Sequence, residues 1–103
     1  MDRRTEVRFG ANQPVIVLVN GQPAAQGIAG KIAGASKSGL RILVDVPMEI
    51  NAPVTVQWDA GALTGAVRHC RQLRPTGFSV GVRIIEVLQP SKLRTNQLES
   101  AQP

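Results

Sequence analysis

Three arginines stand within six residues near the amino terminus, at Arg3, Arg4 and Arg8. A guanidinium group can grip phosphate oxygens with two parallel hydrogen bonds, read the O6 and N7 edge of guanine, and stack on a purine face. The same cluster can also serve as a solvated tail or as a nonspecific contact to a polyanion. The arginines therefore point towards an anionic ligand or partner, and alone they do not separate these uses.

The overall charge of the chain agrees with an anionic partner. Twelve lysines and arginines oppose seven acidic residues, which gives a formal net charge of +5 and an isoelectric point near 10.7. Such an excess attracts anions over the whole surface. Arginine is also abundant in proteins from GC-rich genomes, so the excess does not identify the ligand.

His69 and Cys70 are the only histidine and the only cysteine, and they are adjacent. Residues 62–73 alternate in a strand pattern, which is expected to place His69 on the same face as Leu63 and Val67, and Cys70 on the opposite face. Neighbours on a strand cannot share a hydrogen bond as a nucleophile and its base do. We interpret them as a barrel-wall histidine and a small buried thiol.

The carboxylates also argue against an enzyme. Asp45, Glu49, Asp59 and Glu86 are scattered singly near strand ends and turns, and no pair stands at a catalytic spacing. No glycine-rich phosphate loop precedes a lysine and a helix. One cysteine and one histidine make neither a disulfide nor a transition-metal site. We expect no enzyme activity, no metal and no cofactor.

Six apolar, largely β-branched segments are separated by turn residues, which predicts an all-β barrel or sandwich. With only three aromatic residues, the core is expected to consist of Val, Ile, Leu and Ala. A bulge or tight bend is expected in the second segment, which is rich in glycine and alanine. The predicted strands cover residues 15–19, 26–35, 40–46, 54–58, 62–73 and 78–88.

The two ends of the chain differ from this middle part. Residues 1–12 are predicted to form an Arg-rich arm that leads into a domain at 13–100. Ser91 can cap a short C-terminal helix carrying Leu93 and Leu98, with a tail at 101–103. No apolar run is long enough to span a bilayer or act as a signal segment, so we expect a cytoplasmic protein.

The segment Ser36-Lys37-Ser38-Gly39 is predicted to be the turn between the second and third strands. Gly39 is expected to supply a positive φ angle there. Taken alone, this segment indicates only an ordinary turn between two strands. Its position about 25 residues after the arginine arm is what gives it further meaning.

Together the two segments resemble the PilZ domain family. Residues 3–8 (RRTEVR) resemble its R-R-x-x-x-R arm, and residues 34–40 (GASKSGL) resemble its D/N-x-S-x-x-G motif. Residues 77–84 (GFSVGVRI) resemble the V-G-V-R-F-like signature with which the last barrel strand of the family begins. The resemblance covers the whole chain, including strand number and motif order. It implies a six-stranded antiparallel β-barrel with a short C-terminal helix that binds cyclic diguanylate (c-di-GMP) in the bacterial cytoplasm.

Carried over by position, the family's ligand-binding residues correspond to Arg3, Arg4, Arg8, Ser36 and Gly39. The chain departs from the family pattern at Gly34, where an Asp or Asn normally faces the Watson–Crick edge of guanine. Losing that hydrogen bond is expected to cost roughly 1–3 kcal/mol.

Three functions therefore stay open from the sequence. The first is a c-di-GMP receptor that orders its arm over the ligand and signals to a protein partner of unknown identity. The second, which Gly34 favours, is a degenerate PilZ-like module that docks a partner without nucleotide. The third is a basic barrel that binds nucleic acid, which the scarcity of aromatic stacking residues disfavours. No membrane partner is expected.

Overall fold

A computed structural model describes residues 9–10, 12–22 and 27–88 of the chain. Among these residues there is no helix of the length and apolarity that crossing a membrane requires. The predicted C-terminal helix and the arginines of the predicted arm lie outside the described residues. The described part contains six strands: β1 (Pro14–Val19), β2 (Ile28–Ala35), β3 (Gly39–Val44), β4 (Pro53–Trp58), β5 (Gly61–Gln72) and β6 (Phe78–Leu88).

The six strands form a closed barrel in the order β1-β2-β3-β6-β5-β4, and every neighbouring pair is antiparallel. Closure gives each strand two hydrogen-bonded neighbours and leaves no exposed sheet edge. The prediction of an all-β, six-stranded antiparallel barrel is confirmed, and the sandwich alternative is wrong.

Alternation along the strands fills the barrel with aliphatic side chains. In β1, Val15 and Val17 are buried, whereas Ile16 between them is exposed. Side chains two residues apart share one face of a strand, so each strand presents a short apolar row to the interior. The largest fully buried side chains are Val17, Ile42, Val54, Val56, Leu63, Val67 and Val80.

The aromatic side chains lie at the two ends of the barrel. Trp58 continues the inward row of β4 at one end, and Phe78 begins the inward row of β6 at the other. Both are half-buried and pack against the aliphatic core. Phe9 also packs against the core, and its ring lies edge-to-face on Trp58 with centroids 4.9 Å apart.

Bulges interrupt the alternation in β2 and β5. Ile32 pairs with Ile42 and Gly34 with Arg41, so Ala33 is the extra residue of β2, and the predicted irregularity there is confirmed. In β5 a register shift lies between Val67 and His69, which makes Arg68 the extra residue. Two-residue alternation therefore fails at both places.

The β5 bulge corrects the prediction of uninterrupted alternation over residues 62–73. His69 is exposed rather than aligned with buried Leu63 and Val67, and Cys70 packs against the core. One extra residue reverses the face of every following side chain. The expectation that His69 and Cys70 face opposite sides of the strand is confirmed, but His69 faces outwards and Cys70 faces the core, the reverse of the predicted orientation.

Candidate ligand-binding cleft

The turn between β2 and β3 is held by hydrogen bonds of its own backbone and of β6. The Ser36 N–H donates to the Gly39 carbonyl oxygen at 2.8 Å, and the Ile84 N–H donates to the Ser38 carbonyl oxygen at 2.9 Å. The Ser36 hydroxyl approaches the same Gly39 oxygen at 3.5 Å. The backbone thus fixes the turn and leaves the Ser36 side chain exposed at its rim.

Gly39 has a different role from the predicted one. Its φ angle is not positive; among described glycines only Gly21 and Gly77 have positive φ. A Cβ at position 39 would instead lie 3.1 Å from the carbonyl oxygen of Val82 on β6. Glycine is favoured there because β3 and β6 approach closely at the first residue of β3.

The exposed turn forms one wall of a cleft of about 540 Å³ on the outer face of the barrel. The floor is made by β2, β3, β6 and β5, which are neighbours in the barrel. A volume of this size falls in the range of small-molecule sites. The polar and basic residues that line it are Ser36, Ser38, Arg41, Arg68, His69 and Arg83.

The strand register places one row of residues straight across the cleft floor. Gly34 of β2 pairs with Arg41 of β3, Arg41 pairs with Gly81 of β6, and Gly81 pairs with His69 of β5. Four strands 4.7–4.9 Å apart give this row a span of roughly 14 Å. Two glycines therefore alternate with two side chains that can bind a ligand.

Both ends of this row depend on the bulges. Ile32 points into the barrel, and in a regular strand Gly34, two residues further on, would also face inwards. Val67 and His69 stand in the same relation around Arg68. The two bulges thus turn Gly34 and His69 onto the outer face.

Gly34 faces the side chain of Arg41. A Cβ at position 34 would lie 3.8 Å from Arg41 Nε and 4.0 Å from Arg41 Nη2, which is ordinary van der Waals contact. The site therefore has room for a larger residue, and a carboxylate there would stand beside a guanidinium. The glycine leaves that guanidinium available to a ligand.

His69 packs its imidazole onto the backbone of Gly81. Nε2, Cε1 and Cδ2 of His69 all lie within 2.7 Å of the position that a Cβ at residue 81 would occupy. Three adjacent ring atoms are at similar distances from one point only when that point lies over the ring face rather than in line with its edge. Gly81 is therefore a flat support for the imidazole, and its Cα is buried beneath the ring.

The charge lining the cleft is of one sign. Arg41, Arg68 and Arg83 are all exposed, and no acidic side chain among residues 9–10, 12–22 and 27–88 lines the cleft. Several like charges around a concave surface attract anions, and guanidinium groups bind phosphate oxygens bidentately. Within the described part of the chain no group of three or more His, Cys, Asp or Glu side chains is placed to hold a metal ion.

Phe9 lies at the same end of the barrel as the Ser36–Gly39 turn. Trp58 ends β4, and in this alternating antiparallel barrel the end of β4 lies with the end of β2 and the start of β3. The Phe9–Trp58 contact therefore fixes where the chain approaches the barrel. Arg3, Arg4 and Arg8 themselves lie outside the described residues.

Comparison with protein-family models gives one result that decides the classification. The model of the PilZ domain matches residues 2–98, which is nearly the whole chain. The chain belongs to the PilZ domain family. No curated protein and no solved structure matches it significantly. PilZ domains are binding domains known for c-di-GMP recognition.

Sequence reasoning located part of the cleft of this PilZ domain. Ser36 and Gly39 lie together at its rim, and Arg41 and Arg83 line it as well. Lys37 is exposed in the turn. Arg68 and His69 were missed, because the bulge that turns His69 outwards leaves no mark in the alternation of residue types.

Proposed function

We propose that this PilZ domain is a c-di-GMP receptor that holds the ligand between its basic cleft and its Arg-rich arm. The family supports a cyclic dinucleotide as the ligand class. The observation that carries the proposal is the cleft beside the Ser36–Gly39 turn, where the described lining residues include three arginines and no carboxylate. The ligand offers two phosphates and two guanines, and arginine suits both.

Binding proceeds from attraction to closure. The net charge of +5 draws the dianionic ligand to the barrel. Arg41, Arg68 and Arg83 bind its phosphate oxygens, and the Ser36 hydroxyl adds a hydrogen bond at the rim. Arg3, Arg4 and Arg8 then close over the ligand, with one guanidinium stacked on a guanine and another on its O6 and N7 edge.

The anchor at Phe9 makes this closure geometrically reasonable. Arg8 directly precedes Phe9, and Arg4 precedes it by five residues. An extended chain spans at most about 3.5 Å per residue, so the Arg4 Cα can reach roughly 18 Å from the Phe9 Cα. Because Phe9 and the Ser36–Gly39 turn lie at the same end of the barrel, this reach supports closure of the arm over the cleft.

The ordered arm and the barrel together present a surface that the free protein lacks. Ordering a segment costs conformational entropy, so ligand binding is what makes this surface available. We propose that a protein partner recognises it in the bacterial cytoplasm. In this role the domain catalyses no reaction and needs no cofactor.

Equilibrium dialysis with radiolabelled c-di-GMP tests the role of the arm. Arg4→Ala is expected to weaken binding about tenfold or more, because a charge-assisted hydrogen bond contributes about 1.5–3 kcal/mol. Arg74→Ala is the matched control, since exposed Arg74 lies in the β5–β6 turn at the opposite end of the barrel. Equal losses in both variants would contradict a specific role of the arm.

A second candidate function is a protein-interaction module that binds no nucleotide, and Gly34 favours it. At this position the family pattern has a side-chain acceptor for guanine, whereas Gly34 has no side chain to accept a hydrogen bond. Under this alternative the wild-type chain binds no c-di-GMP, Gly34→Asp creates or greatly strengthens binding, and Arg4→Ala leaves docking of the partner unchanged. Saturable binding by the wild type would exclude it.

A further inference from the structure

We propose that His69 is the stacking platform of the cleft, on which a purine of the bound cyclic dinucleotide lies. This inference rests on the proposed function and assigns to it a residue outside the arm and the Ser36–Gly39 turn. It is carried by three observations: the ring of His69 is supported from below, exposed from above, and surrounded by cations.

The support comes from Gly81. The imidazole lies face-on over the Gly81 backbone at the position of the absent Cβ. Any side chain at residue 81 would occupy this place and displace the ring. One face of His69 is thus held against β6, which reduces the freedom that the ring would lose on stacking.

The opposite face of the imidazole is free for a ligand. His69 is exposed and lines the cleft, and the β5 bulge is what places it on the outer surface. Among described aromatic residues, Phe9, Trp58 and Phe78 are half-buried and pack against the core. His69 is therefore the flat ring that the described part of the cleft offers to a base.

The neighbouring charges complete a subsite for a purine nucleotide. Arg41 is on the row with His69, and Arg68 directly precedes it in β5. A base on the imidazole would hold its phosphate near these guanidinium groups, where bidentate hydrogen bonds are available. Base stacking on a flat ring combined with phosphate contacts is the usual way of binding nucleotides without reading their edges.

Two substitutions separate stacking from hydrogen bonding by the imidazole. His69→Phe keeps a flat ring and loses the ring nitrogens, whereas His69→Gln keeps a polar donor and loses the ring. Since His69 is exposed, both variants are expected to fold. Stacking predicts that His69→Phe binds c-di-GMP within about threefold of the wild type and that His69→Gln binds about tenfold more weakly.

Nuclear magnetic resonance gives a direct readout, because His69 is the only histidine of the chain. Its Hε1 and Hδ2 signals are expected to move upfield when c-di-GMP saturates the protein, as the ring current of a stacked guanine requires. The opposite order of the two variants, or unshifted imidazole signals at saturation, would overturn the inference and leave the proposed function standing. A wild-type chain that binds no c-di-GMP would overturn both.

Discussion

Phe9 and Trp58 form an edge-to-face pair, with ring centroids 4.9 Å apart and an interplanar angle of 65°. The pair connects the predicted arm to the barrel, because Phe9 directly follows Arg8 and Trp58 ends β4 at the end of the barrel that carries the Ser36–Gly39 turn. Edge-to-face aromatic pairs contribute about 0.5–1.5 kcal/mol beyond the area they bury. The structure thus places an anchor immediately after the residues proposed to close over the ligand.

Removing this anchor is predicted to weaken ligand binding without unfolding the barrel. In Phe9→Ala the arm loses its attachment, so closing it costs more entropy, and binding of c-di-GMP should fall about threefold to tenfold. Phe9→Tyr keeps the ring and serves as the control. Trp58 is the only tryptophan, so its emission should shift to longer wavelength in Phe9→Ala. Unchanged affinity in Phe9→Ala would show that the anchor plays no part in binding.

Gly34→Asp is predicted to strengthen c-di-GMP binding by about tenfold. The site has room for the side chain, since the nearest atom to a Cβ there is Arg41 Nε at 3.8 Å. A carboxylate can accept the N1–H and N2–H groups of guanine, and each hydrogen bond contributes about 1–3 kcal/mol. Gly34→Ala adds only the Cβ and should bind as the wild type does.

The inosine analogue of the ligand, which lacks the N2 amino group, makes the Gly34 argument sharper. The wild type should bind it and c-di-GMP with nearly equal affinity, because the described lining of the cleft holds no carboxylate to receive that group. Gly34→Asp should prefer c-di-GMP. A strong preference for c-di-GMP in the wild type would mean that another group accepts the amino hydrogens.

Two glycines on separate strands, Gly65 of β5 and Gly34 of β2, are predicted to respond differently to alanine. At Gly65 a Cβ would collide with the carbonyl oxygen of Arg83 and lie 2.8 Å from Val82 Cγ1, whereas at Gly34 it meets nothing closer than 3.8 Å. Overpacking of this kind typically costs 1–3 kcal/mol. Urea denaturation should therefore show a clear loss of stability for Gly65→Ala and almost none for Gly34→Ala. Similar midpoints for the two would contradict the described approach of β5 to β6.

The aliphatic interior gives a prediction about stability alone. Leu63 is fully buried, and Leu63→Ala is expected to lower the free energy of unfolding by about 2–5 kcal/mol through lost contacts and a cavity. A further register shift, between Thr64 and Gly65 of β5, makes Ile85 an extra residue of β6. Ile85 is 62% exposed, and Ile85→Ala should stay within about 0.5 kcal/mol of the wild type. Thermal or urea unfolding measures the stability of both variants. Comparable losses in the two variants would contradict the burial of Leu63 in the core.

The sequence was sufficient for the strands, the aliphatic core and the Ser36–Gly39 turn, because these depend on local alternation and on turn residues. It was insufficient where the register shifts. Arg68 looks like any outward-facing strand residue, and only the register of β5 against β6 reveals that it is an extra residue and that His69 faces outwards. Gly39 was misread for a related reason, since its cause is the close approach of Val82 from β6 rather than its own turn.

The central claim is that the intact chain binds c-di-GMP, and isothermal titration calorimetry tests it most directly. Arg8→Ala, titrated beside the wild type, removes a guanidinium of the arm. The account predicts saturable heat for the wild type and about tenfold or greater weakening for Arg8→Ala. No heat and no saturable binding by the wild type at high micromolar ligand would contradict it.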